Sequence, residues 1–320
     1  MRGRMKLTAM GSAIATILAI APLVCRAQSA PKNKAPAEAA AAERGIDLAA
    51  KGQCTEALPI LKKSAGHATD KQVRYHAGMA TAKCAMSLEQ AETAVQALFA
   101  LRREFPKDPE VLYISTHYFS ELASRASQEL AAEAPTSYQA HELEAEAFES
   151  QSRWAEAAAE YQKILEQNGN APGIHFRLGR VALSRGESEA NTAEAKKEFE
   201  QELKIDPSSA AAEFSLGEIA RRAGQWGEAI KHFSAAGRLD SGFAEAFLAL
   251  GMSLSSAQRF ADAVRPLEKY VKLVPEDPAG HYQLAIAYDR TGRKESAARE
   301  LQLQRETAAK APASATVAPH

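Results

Sequence analysis

The chain has 320 residues, 46% hydrophobic and 25% charged, which is a normal globular balance with room for one large or two ordinary domains. Its 39 basic residues stand against 40 acidic ones, a net charge of −1 that excludes a chain-wide cationic surface for nucleic acid, and three cysteines exclude a disulfide-dense miniprotein. Alanine fills 68 positions; it is the best helix former and offers only a methyl group for packing, so close-packed helices are favoured over a sheet.

The first segment reads as a delivery signal. Arg2, Arg4 and Lys6 form a positive start, Leu7 to Val24 is mostly apolar, and Cys25-Arg26-Ala27 ends in small residues, so residues 1–27 are expected to be a secretory signal peptide cleaved after Ala27. An uncleaved membrane anchor is the competing reading, since 18 residues approach a minimal span, but Gly11, Ser12 and Pro22 interrupt the run. A lipid on Cys25 is disfavoured by Val24 before it. No later stretch is apolar enough to span a bilayer, so the mature chain is expected to be soluble and periplasmic or secreted. Residues 28–40, rich in Pro, Ala and Lys, are expected to be a flexible linker, and residues 308–320 a disordered tail.

Between these ends, residues 41–307 repeat. Leu178-Gly179, Leu216-Gly217, Leu250-Gly251 and Leu284-Ala285 are counterparts, and positions 217, 251 and 285 are 34 apart. Ala229, Ala263 and Ala297 follow twelve positions later, then Phe233, Leu267 and Leu301 after four more. The clearest copies are Tyr138 to Ala171, Ala210 to Phe243, Ala244 to Asp277 and Pro278 to Glu306. The copy from Pro172 to Ser209 carries about four extra residues around Gly186 to Glu189. Upstream, Gly45 with Ala57 and Leu61 fits one unit, Gly78 with Ala94 and Leu98 fits a second after a similar insertion, and Pro109 to Thr136 reads as a shortened third, which makes about eight in all. This spacing resembles the tetratricopeptide repeat, in which a small residue lets two helices of a hairpin touch while large residues fill the gap beside it. The resemblance implies an all-α solenoid, a right-handed superhelix of helix-turn-helix units whose first helices line a concave groove.

Local signals agree with that phase. Asp108-Pro109 and Asp277-Pro278 place a capping carboxylate before a proline suited to the first helical position, and Gly52, Gly224 and Gly292 fall at turns between paired helices. Pro59 and Pro266 fall inside second helices, where a local irregularity is expected.

No catalytic, cofactor or metal pattern is present: His141-Glu142 lacks a second histidine one turn on, where Ala145 stands, and there is no phosphate loop, nucleophile elbow, Cys-x-x-Cys pair or dinucleotide fingerprint. His141, His175 and His281 occupy the place where the family usually has tryptophan, which implies half-buried packing. Cys54 and Cys84 are an even pair for an oxidising compartment and are expected to form one bridge between neighbouring units, the alternative being two small buried thiols. Repeat phase places Phe176, Arg180, Phe214, Arg221, Arg222, Leu248, Met252 and Tyr282 on the concave side of first helices. There they suit a peptide with an acidic group, unless the aromatics serve packing and the arginines pair with neighbouring glutamates. The expected role is a non-enzymatic, cofactor-free exported scaffold that binds a protein or peptide, an adaptor or assembly factor at the bacterial envelope. A structural oligomerising spacer and a non-catalytic subunit of an envelope enzyme are the alternatives.

Overall fold

The computed structural model describes residues 34–64, 66 and 68–310, with side chains from residue 37 onward. The expected signal peptide, residues 28–33 of the expected linker and residues 311–320 of the expected tail lie outside the described residues. Fifteen helices make up the regular structure of the described residues: α1 Lys34–Ala50, α2 Cys54–Ser64, α3 Lys71–Ser87, α4 Ala91–Glu104, α5 Pro109–Glu133, α6 Tyr138–Ser150, α7 Trp154–Gln167, α8 Ile174–Ser184, α9 Glu189–Ile205, α10 Ala210–Arg222, α11 Trp226–Leu239, α12 Ala244–Ser256, α13 Phe260–Leu273, α14 Pro278–Arg290 and α15 Lys294–Lys310. No strand occurs among them, and none of these helices is long and apolar enough to cross a membrane. Two boundaries differ from the sequence reading. The second half of the expected linker is already helix α1, because its Ala- and Glu-rich run has high helix propensity and Ala42 one turn on is fully buried. At the other end α15 runs three residues into the expected tail.

The chain divides into two compact units, one up to Leu122 and one from Ala123. Unit 1 contains the hairpins α1–α2 and α3–α4 and the first half of α5. Its core is Leu58, Leu61, Met79, Leu98, Leu101, Val111 and Tyr118 with alanines between them. Unit 2 contains the second half of α5 and the hairpins α6–α7, α8–α9, α10–α11, α12–α13 and α14–α15.

The small residue of each first helix has the expected steric role. A methyl group on Gly179 would stand 2.6 Å from the Phe199 ring, and one on Gly217 would stand 2.6 Å from Phe233, so only glycine admits these fully buried rings. Seven residues after the small residue the chain reverses through a left-handed backbone: Gly52, Gly224 and Gly292 have φ of 76°, 69° and 80°. Glu89, Ser152 and Gln258 take the same conformation in three other hairpins at φ 55°, 58° and 61°, where a Cβ is unfavourable.

That turn corrects the phase of the second hairpin. Glu89 lies seven residues after Ala82, so the fully buried Ala82 is the true small-residue position and Leu98 follows it by sixteen with no insertion. Gly78 sits one turn earlier and packs on Leu101. The expected shortened unit at Pro109 to Thr136 is instead the single 25-residue helix α5, with no second helix of its own, so the described residues hold seven hairpins and one lone helix. Pro59 and Pro266 interrupt neither α2 nor α13. The carbonyls they leave unpaired belong to Thr55 and Asp262, both exposed, where water can accept the role.

Candidate functional site: a cleft at α8 to α10

Four of the five hairpins of unit 2 carry a polar cross-helix contact four residues before the small residue. His141 Nδ1 lies 2.7 Å from Glu160 of α7, His175 Nδ1 2.6 Å from Glu198 of α9, and His281 Nδ1 2.7 Å from Glu300 of α15. In α10–α11 the partners are exchanged, Glu213 on the first helix meeting His232 on the second at 2.6 Å. Phe247 and Pro266 occupy the two places in α12–α13. The tryptophan-position histidines are therefore packing residues with a polar partner. Glu144 approaches His141 and Glu160 closely enough for three ligand atoms to converge, but Lys163 Nζ already donates to Glu160 at 2.5 Å. The His–Glu contact recurs at His175 and His281 with a single carboxylate each, so it needs no metal to explain it. Burial pushes the Glu160 carboxyl up, yet the hydrogen bonds from Lys163 and His141 outweigh it and hold the group below the usual carboxylate range.

The concave-side residues read from sequence separate into two groups. Phe176 packs on Phe199 with ring centroids 5.6 Å apart, and Phe214 packs on Phe233 and Phe243 at 5.4 and 4.8 Å, so both are partly scaffold. Leu248 is half-buried against the same core as Phe214, Met252 is half-buried, and Tyr282 is 49% exposed. All three arginines have carboxylate neighbours. Arg221 forms a two-point pair with Glu218 at 3.0 and 2.7 Å, Arg222 reaches Glu187 at 3.2 Å, and Arg180 stands 3.7 Å from Glu149. Hydrogen bonding to Glu218 raises the Arg221 guanidinium further above its ordinary value.

Phe214 and Arg222 meet in a cleft of about 800 Å³. The extra residues from Gly186 to Glu189 displace the start of α9 from the end of α8, and α10 closes the opening. Leu183, Ala193, Phe214, Ile219 and Ala223 supply the apolar lining; Glu187, Glu189, Lys196, Glu218 and Arg222 are its charged members. Ser188 caps α9 by accepting from Asn191 N at 3.1 Å. At the other end of the same hairpin Glu202, 2% exposed, accepts from Gly173 N at 2.8 Å and Phe176 N at 3.2 Å and so closes the start of α8. The sequence pointed to Phe214 and Arg222 but not to Leu183, Ala193 or Ile219. The insertion was the available signal, because added residues at a hairpin turn must open the space between the helices they join.

Together, stacked antiparallel helix pairs with a small-on-large contact in each, and a cleft between neighbouring pairs, define a helical-repeat scaffold. The sequence profile described as Tetratricopeptide repeat matches residues 120–173, 143–191, 176–242 and 248–313, more than half of the chain, and the chain belongs to that family. No curated protein matches the sequence. Among solved structures the chain is similar to MamA, with 20% identity and a TM-score of 0.47 over 52% of this chain and 95% of that one. MamA from Desulfovibrio magneticus RS-1 gives 18% and 0.44 over 52% and 96%. YrrB, described as a TPR protein with an unusual peptide-binding site, gives 20% and 0.48 over 57% and 92%.

Proposed function

We propose that this protein is a non-catalytic scaffold that captures a protein or peptide segment in the α8–α10 cleft and serves as an adaptor or assembly factor at the bacterial envelope. The observation that carries the reading is the cleft itself: an apolar lining large enough for one or two peptide side chains, edged by charged groups of both signs. The Arg222–Glu187 pair is highly exposed on both sides and can exchange for a ligand carboxylate at little cost. Arg180 adds a cation on the neighbouring first helix, with no hydrogen bond to its carboxylate neighbour among the described residues. An acidic group beside an apolar anchor is thus the peptide chemistry the cleft suits.

Export is part of the same proposal. The positive, apolar and small-residue sequence of residues 1–27 supports it, and so does the Cys54–Cys84 disulfide, which persists in oxidising compartments. Capture from an envelope extract with parent chain and with Leu183→Asp tests the reading. Leu183 is 37% exposed, so the fold tolerates the change. Partners recovered by the parent should be lost with the variant at unchanged helicity; equal recovery would remove the cleft from the account.

A further inference from the structure

Helix α5 is a first helix without its second. Asp108-Pro109 opens it as Asp277-Pro278 opens α14, and Asp108 Oδ1 caps it by accepting from Val111 N at 3.0 Å. In this alignment Leu112 stands at the place of His281, Thr116 at that of Ala285 and Phe119 at that of Tyr288. In α14 the first two are covered by α15 and are 5% and 1% exposed. In α5, Leu112 is 38% exposed and Thr116 is exposed, whereas Val111 and Ser115, which face the core of unit 1, are buried. The uncovered face is therefore the one that a second helix covers in the other hairpins.

The neighbouring helix is adapted to the same space. Phe99 of α4 is 59% exposed and lies 5.6 Å from Phe119. Five residues after the alanine of every other second helix the residue is polar: Lys62, Gln162, Glu200, Ser234, Glu268 and Gln302. Two of these show what the place touches. Lys62 donates to Thr93 of the next second helix at 3.2 Å, and Glu268 accepts from Tyr288 of the next first helix at 2.7 Å. Phe99 thus presents a ring where the absent helix would pass.

Charge limits what can occupy the space. Near the end of α4 and the start of α5 the carboxylates are engaged: Glu104 with Arg74, Glu110 with Lys83, and Asp108 with Tyr75 and Val111 N. Arg102 and Lys107 are exposed and make no ion pair among the described residues. A second helix runs antiparallel to its first, so the occupant's C-terminal half, negative through its dipole, would lie by these cations.

We propose that the α4–α5 face of unit 1 is a docking slot for an amphipathic helix of a partner protein, acidic toward its C-terminal end, which completes the hairpin that α5 begins. This surface is separate from the α8–α10 cleft and does not rest on it.

A labelled synthetic peptide with the α7 sequence, carrying Glu160→Leu to meet Leu112 and Lys163→Glu to meet the cations, is the probe, titrated by fluorescence anisotropy into the full chain. Saturable binding is expected. It should weaken at least tenfold in a Phe99→Asp/Leu112→Asp chain of unchanged helicity, and several-fold when the peptide instead keeps Lys163 and carries Glu166→Lys. Should the double variant misfold, the single exposed change Thr116→Arg must give the same loss. The proposal is overturned by absence of saturable binding to the parent or by equal affinity for the variants. It is also overturned by a parent dimer that Leu112→Asp dissociates, which makes a second copy the occupant, or by a tenfold gain on deleting residues 311–320, which makes it the chain's own tail.

Discussion

In unit 2, the place four residues before each small residue holds His141, His175, Glu213, Phe247 or His281, and the facing place on the second helix holds Glu160, Glu198, His232, Pro266 or Glu300. In unit 1 the same two places hold Ala41 with Ile60 and Gly78 with Ala97. Unit 2 fastens four of its hairpins through buried or half-buried hydrogen bonds to a carboxylate. Unit 1 has only small apolar contacts there and carries instead a covalent link, Cys54 on α2 to Cys84 on α3. The difference also falls where the family profile begins, at residue 120. Thin side chains bury less apolar surface per hairpin, so a unit of two hairpins and half a helix gains more from a cross-link than five stacked hairpins do.

The largest effect that separates the units is expected from that cross-link. Removing it with Cys54→Ser/Cys84→Ser should cost unit 1 about 3–4 kcal/mol on the chain-entropy account of a loop of roughly 30 residues. Calorimetry should then show an early transition from unit 1 and leave that of unit 2 in place; a common shift of both would undo the comparison. Next in size is the exchange of partners in α14–α15. His281→Ala and Glu300→Ala should each cost about 1–3 kcal/mol by leaving a polar group with an unmatched partner, whereas the exchange His281→Glu/Glu300→His should recover part of either loss, because α10–α11 already uses that order while the contact of His281 Nε2 with Pro275 O at 2.9 Å is given up. If the exchanged chain melts no higher than the single variants, the recurring contact is not a unit of stability.

Acid gives a smaller contrast. Hydrogen bonding from Arg74 lowers the Glu104 carboxyl in unit 1, and in unit 2 the bonds from Lys163 and His141 outweigh burial to lower Glu160. A carboxylate lowered in the folded state contributes stability above its unfolded value of about 4.3, and that contribution fades as pH falls through the folded value. Melting points should therefore drop below pH about 4.3, and Glu160→Gln should flatten the drop for unit 2 but not for unit 1. The smallest effect is at the turns: Gln258→Gly should raise the melting point of unit 2 by an amount worth roughly 0.5–1 kcal/mol, since it removes a left-handed Cβ. A fall would mean that the side chain holds the turn.

Much of unit 2 was legible because steric necessity leaves a regular trace. Gly179, Gly217 and Gly251 must be small, Phe199 and Phe233 must be large, and the insertion at Gly186 to Glu189 lengthens the step between them in one copy without changing either residue type. Unit 1 was harder to read because alanine at position 82 looks like the alanines around it, while Gly78 imitates the missing marker one turn away. The lone state of α5 was hidden for another reason: residues 123–133 keep good helix formers, and nothing local announces that no partner follows. In the cleft, Phe214 and Arg222 could be placed by repeat phase, but Leu183 and Ile219 line it only because the insertion moves α9. The carboxylate partners of Arg180 and Arg222 lie 31 and 35 residues away in sequence, beyond any local pattern.

The most direct test of the proposed capture function is the affinity of a partner recovered with the parent chain, compared between parent and Leu183→Asp by titration at fixed salt, with thermal melts run alongside. The account predicts at least a tenfold loss of affinity at an unchanged melting point. Equal affinity at an unchanged melting point would contradict it.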